Sequence, residues 1–229
     1  MNLLRIGGSM MMISLFAISV SAAPEGAFTS LHVKAKDVDK YVAFMKENTA
    51  PFQALGADVA GVCVTRSGNQ YPGEMFVWSA YPSIEAAYEA SRKYDPLKPS
   101  PAFEELRTVL YSVTWKPVKE FALKPGYERL WRLRLNDWRK FATEMEKLET
   151  ALSDAGHDMR LGVFYPLGGG TEVFHLRAVT DTPAQSGKIA DEYFAGASYG
   201  KIWDNAFKYV DEIVTVSYTH LTLPTKRIV

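Results

Sequence analysis

Between Phe28 and Lys34 apolar and polar residues alternate, with Leu31 and Val33 on one face and Ser30, His32 and Lys34 on the other. That period of two predicts a half-buried strand. Asp37 is then placed to cap a helix whose apolar side carries Val38, Tyr41, Val42 and Met45. Pro51 should bend or end that helix, and Gly56 closes the segment. Strands follow over 59–65 and 74–81, separated by the turn-rich stretch from Ser67 to Gly73. Ser83 opens a second helix through Ile84, Ala87 and Tyr88. Beyond Pro96, Pro99 and Pro101, a short helix with Phe103 and Leu106 leads into a strand over 110–115. The order is β-α-β-β-α-β.

The same plan returns one hundred positions later. Leu31-His32-Val33 aligns with Trp131-Arg132-Leu133, Val38 with Trp138, Tyr41 with Phe141, and Met45 with Met145. Gly56-Ala57-Asp58 falls on Gly156-His157-Asp158, and Phe103 on Trp203. Gly61-Val62 meets Gly162-Val163 after a slip of one residue. The second half predicts a strand over 128–135, then a helix from about Asn136 with Trp138, Phe141, Met145, Leu148 and Leu152 in one stripe, ended by Gly156. Strands over 160–165 and 172–179 flank Leu167-Gly168-Gly169-Gly170, and helices occupy 183–194 and about 201–210. A last strand begins at Asp211. This period is far longer than that of a solenoid repeat, so it predicts two copies of one domain.

A split β-α-β doublet is the ferredoxin-like unit. Two helices cover one face of its sheet, and the other face must find a partner. The expected fold class is therefore α+β, with two tandem ferredoxin-like repeats packed sheet to sheet as an intrachain α+β barrel. In element order and duplication the chain resembles the dimeric α+β barrel superfamily, which includes antibiotic-biosynthesis-monooxygenase-like, stress-responsive barrel and NIPSNAP-like domains. The resemblance implies paired sheets around a central cavity. It assigns no activity, because one fold hosts many chemistries.

Both ends stand apart from these repeats. Residues 1–22 carry one basic residue, Arg5, then an apolar run from Met10 to Val20 and small residues, the pattern of a cleaved secretory signal. The apolar run is shorter than the roughly 20 residues of a spanning helix, so a periplasmic or extracellular protein without stable membrane insertion is expected. At the other end, Val216 to Thr225 resembles a translated sequencing-library adapter. Residues 216–229 are then a non-native tail, and His220, Lys226 and Arg227 carry no functional weight. The expected organisation is a signal at 1–22, repeats at 23–117 and 127–215, a linker at 118–126, and that tail.

The 229 residues include 26 Lys and Arg against 26 Asp and Glu; setting aside Arg5, Lys226 and Arg227 leaves 23 basic residues. That mild acidity, without a basic cluster, argues against a nucleic-acid partner. Apolar residues make up 47% of the chain, enough for a substantial core. The single cysteine, Cys63, excludes an intrachain disulfide and reads as a small buried apolar residue in a strand.

Candidate chemistry lies on the polar faces of the strands. His32, Arg132, Arg134, His175 and Arg177 would gather inside the barrel. Guanidinium offers a bidentate fork to paired oxygens, and His titrates near neutrality. The cluster thus suits a small anionic or aromatic ligand. Its bland counterpart is pairing with Glu128, Glu172 and other carboxylates. Trp78 and Trp115 are further candidates to line the cavity. The sequence has no H-x-H or H-E-x-x-H spacing for a metal. His157 reads as a surface turn residue and the triple glycine as a hairpin turn that opens no helix. Although some superfamily members bind haem through a proximal His, no haem motif surrounds His32 or His175, so no cofactor is expected. Small-molecule binding in the inter-sheet cavity leads. The alternatives are a cofactor-independent monooxygenase or isomerase, and a protein-interaction module without a ligand.

Overall fold

The computed structural model describes residues 25–96, 98–168 and 172–222. The signal segment, the end of the tail from 223, and Gly169 and Gly170 of the hairpin lie outside those residues. The first half runs β1 (Ala27–Ala35), α1 (Val38–Glu47), α2 (Ala50–Ala54), β2 (Val59–Ser67), β3 (Glu74–Tyr81), α3 (Ile84–Lys93), α4 (Pro101–Leu106) and β4 (Arg107–Pro117). The second runs β5 (Gly126–Leu135), α5 (Trp138–Asp154), β6 (Arg160–Gly168), β7 (Phe174–Thr180), α6 (Pro183–Phe194), α7 (Gly200–Ala206), a 3-10 turn at Phe207–Tyr209 and β8 (Val210–Thr222).

The helix starts follow the expected capping chemistry. Asp37 accepts a hydrogen bond from the Lys40 amide at 3.0 Å, and Ser83 accepts one from the Ala86 amide at 3.0 Å. The second-half counterpart is Asp137, which accepts from Lys140 N at 3.1 Å, one residue beyond the Asn136 expected to start that helix. Gly56 and Gly156 end their segments at φ +78° and +83°, where a side chain would be strained.

The eight strands close one antiparallel barrel in the order β1-β3-β2-β8-β5-β7-β6-β4. The expectation of two sheets facing each other needs refining, because the edges themselves hydrogen-bond. β2 pairs with β8 and β4 with β6, so the halves share one wall. The last strand also runs past the expected 215. Residues Tyr218 to Thr222, inside the adapter-like stretch, make the whole seam with Val62 to Ser67 of β2.

The helices pack outside the barrel. In the second half Leu133, Phe141, Met145, Leu152, Val163 and Leu176 form a continuous core, closed by the partly buried Trp131, Trp138 and Trp203. In the first half Val33, Tyr41, Met45, Val64 and Met75 form a smaller one. One barrel end is plugged by the connection between β4 and β5. A Cβ at Gly162 would stand 2.7 Å from the Phe121 ring, so the plug seats only against glycine.

Candidate functional site

Alternation on β1, β5 and β7 delivers four of the five expected residues to the barrel interior. His32 and His175 are each 1% exposed, Arg132 6% and Arg177 9%. Each cation meets a carboxylate. Arg132 donates to Glu172 Oε2 at 3.0 Å, to the Tyr111 hydroxyl at 2.9 Å, and lies 3.1 Å from His32 Nδ1. Glu172 Oε1 stands 3.2 Å from His175 Nε2, and Oε2 stands 3.5 Å from His32 Nε2. Arg177 pairs with the fully buried Glu128 at 3.1 Å, and Thr219 donates to that carboxylate at 2.9 Å. The pairing with Glu128 and Glu172 is the bland counterpart weighed from the sequence.

Arg134 does not join. The β5–β8 register shifts between Arg132 and Leu133, and again after Arg134, while the β7 pairing ends at Leu133. The bulged residue therefore turns outward at the barrel rim, where its exposed guanidinium donates to Glu212 at 2.8 Å. His157 is not a free surface residue, since it sits 2.6 Å from Glu192 with its side chain 9% exposed.

Rings fill much of the remaining interior. Trp78 and Trp115 both face inward, and Trp115 donates to Ser30 Oγ at 2.8 Å with its ring 4.0 Å from that of His175. His32 stacks on Tyr111 at 4.0 Å and meets Phe76 edge-on at 4.6 Å. Burial drives the His32 pKa down to about 2 and that of His175 to about 4, so both are neutral. Burial also opposes ionisation of Glu172, but His175 and the Arg132 guanidinium hold its pKa well below the usual carboxylate range. The Cys63 thiol, 3.7 Å from Arg177, is pushed up to about 12 by burial, as befits an inert core residue. Among the described residues a pocket of about 20 Å³ lies beneath Phe121 and Leu123, against Ser30, Trp115 and Arg177. That holds roughly one water. The cluster is an ion-paired polar core rather than an open cavity, with Arg132 Nε and both ring nitrogens of His175 left without hydrogen-bond partners. Its two His and one carboxylate imitate a metal triad, but Arg132 already supplies the positive charge, and no group of three such donors suits a metal among the described residues.

An apolar cavity lies on the other side of the sheet. A cavity of about 350 Å³ opens between the outer face of β1, β3 and β4 and the helices α2 to α4. Leu31, Phe52, Leu55, Val77, Ala90 and Phe103 supply apolar lining, while Arg107 and Tyr94 stand at one end. Arg107 is 5% exposed and donates to the hydroxyls of Tyr41 and Tyr94, the latter at 2.6 Å. Its guanidinium lies 4.4 Å over the Phe103 ring. Burial lifts the Tyr41 phenol to about 12, so it stays a neutral partner. Reading motifs on the strands missed this site, because it is built from what is small. Leu31, Val38 and Phe103 stand where the second half has Trp131, Trp138 and Trp203, and those paired differences were the available signal.

A haem does not fit the donors present. No described His lines the 350 Å³ cavity, and His32 and His175 face the packed barrel.

No family model matches the sequence, and a search of curated proteins finds no relative. Solved structures do share the fold. A candidate monooxygenase from Lactobacillus acidophilus NCFM superposes with a TM-score of 0.55 at 11% identity, covering 88% of this chain and 95% of that one. A haem-binding protein from Thermus thermophilus gives 0.53 at 10% identity, covering 86% and 91%. An anthrone oxidase-like protein gives 0.50 at 12%, covering 89% and 95%. These neighbours are α+β barrel proteins, and the chain shares that fold.

Proposed function

We propose that the protein binds a small, largely apolar or aromatic molecule in the first-half cavity between helices and sheet. One observation carries this: about 350 Å³ of apolar-lined space with a few polar groups, beside a barrel interior occupied by buried side chains. Ligand pockets have this make-up and size. The proposal relocates the expected ligand site from the barrel interior to the outer face of the same sheet. It also takes the two halves as a duplicated ferredoxin-like unit forming an intrachain pseudo-dimer. Their strand orders, β4-β1-β3-β2 and β8-β5-β7-β6, support that reading. Export through residues 1–22 remains part of it, and would put the site outside the cytoplasm.

Chemistry on the bound molecule, as a monooxygenase or isomerase, is the second reading. The fold held in common with a candidate monooxygenase and an anthrone oxidase-like protein favours it. Proton abstraction needs a base, and the described lining residues include no His, Asp or Glu. Binding therefore leads. The test is a fluorescence titration with 2-naphthamide, a neutral aromatic probe, on the wild type and on Ala90→Phe, which projects a ring into the space. Saturable binding that Ala90→Phe abolishes supports the proposal. Absence of saturable binding, or equal binding to both proteins, overturns it.

A further inference from the structure

The second half shows what this fold does without a polar group at the same place. Tyr41 corresponds, one hundred positions on, to Phe141, while Arg107, opposite Ala35 at the start of β4, holds the register place that Val210 takes opposite Leu135 in β8. Where the second half has a phenylalanine and a valine, the first half has a phenol and a guanidinium, and the cavity opens beside that guanidinium.

Arg107 is a buried cation without a countercharge. Among the described residues no carboxylate pairs with it, whereas the other buried arginines have one: Arg132 with Glu172, Arg160 with Asp181, and Arg177 with Glu128. Its two hydroxyl partners, Tyr41 and Tyr94, accept one N–H each of the five it carries. Its Nε–H is buried with no acceptor at all. Burying an unpaired charge is costly, and proteins offset it with an anion or a metal ligand.

We infer that the ligand of this cavity is an amphipathic carboxylate, its apolar or aromatic body among Leu31, Phe52 and Val77 and its carboxylate on Arg107. The inference rests on the cavity reading above and names the ligand class for it. A carboxylate matches the unused donors of a guanidinium by pairing two oxygens with two N–H groups. The aromatic faces of Phe103 and Tyr41 hold the fork in place, at 4.4 and 5.5 Å from its carbon.

The experiment compares 2-naphthoate with its neutral isostere 2-naphthamide by calorimetric titration. The proteins are the wild type, Arg107→Met, Arg107→Lys and Lys93→Met, with folding checked by circular dichroism. The wild type should prefer naphthoate at least tenfold. Arg107→Met should erase that preference while still binding naphthamide. Arg107→Lys, which keeps the charge without the fork and protects the test should the Met variant not fold, should retain only part of it. Lys93→Met, at the cavity rim, should keep it whole. If naphthamide binds and naphthoate gains nothing, the carboxylate inference fails while the cavity reading stands. If the preference follows Lys93 instead, Arg107 is not the anchor and the inference is overturned. Loss of naphthamide binding in the wild type would instead sink the cavity reading itself.

Discussion

The outer layers of the two halves are built to one plan and filled differently. In the second half α5 runs unbroken for 17 residues, and three tryptophans close the space between helix and sheet. In the first half α1 stops after 10 residues, where Asn48 turns its side chain back to the Phe44 carbonyl at 2.8 Å. Pro51 then sits in the first turn of the separate five-residue α2, at the place of Ala151 in the last turn of α5. Proline cannot donate within a continuing helix, so α2 leaves the line of α1. With Leu31, Val38 and Phe103 in place of the tryptophans, the displaced helix lies over unfilled volume. One copy of the layer is spent on stability, and the other is free to hold a ligand.

Truncation within the two layers should separate those roles most strongly. Trp203→Ala removes a ring that packs on both Trp131 and Phe207, at 5.4 and 4.9 Å. It should destabilise the protein by about 3–5 kcal/mol, the usual range for large aromatic truncation in a core. Phe103→Ala opens onto space already empty and should cost less, about 1–2 kcal/mol. Urea unfolding of the pair checks this; equal losses would mean that the first-half layer is packed as tightly as the second.

Acid should act on the barrel core that both halves share. His32 and His175 are held neutral by burial, with pKa values lowered to about 2 and about 4, whereas the unfolded chain binds those protons below the ordinary value of 6.5. Stability is therefore lost as pH falls from about 6.5 towards 4. Each such proton contributes up to about 1.4 kcal/mol per pH unit. The depressed Glu172 adds a further loss as the pH drops below its ordinary value of 4.5. Urea midpoints measured from pH 7 to pH 4 should fall, with a shallower slope in His175→Gln. A flat profile would show that the histidines are not neutral partners in the fold.

Much of this molecule was legible in its sequence, and the exceptions have physical reasons. Period-two alternation placed Ser30, His32, His175 and Arg177 on inward faces, and capping residues set the starts of α1 and α3. Arg134 was misread because alternation assumes a regular ladder, and the bulges flanking it in β5 are invisible in residue types. Tyr111 lies in the part of β4 that pairs with β1 alone, ahead of the seam with β6, and Glu172 follows a hairpin; their convergence on Arg132 depends on closure of the barrel. The cavity escaped notice because a motif search looks for reactive groups, whereas a pocket is a deficit of side-chain volume. Comparing Leu31 with Trp131 and Phe103 with Trp203 for size, rather than for polarity alone, would have disclosed it.

The central claim is that apolar ligand room lies between helices and sheet in the first half, and not in the second-half core or the barrel. Methyl-resolved NMR of the protein titrated with 2-naphthamide reads all three regions at once. Methyl groups of Leu31, Leu55, Val77 and Val113, which line the first-half cavity, should shift and saturate together. Those of Leu148, Leu152 and Ile189 in the second-half core, and of Leu130 in the barrel, should stay in place. Saturable shifts confined to the second-half core or the barrel, or no shifts at all, would contradict the account.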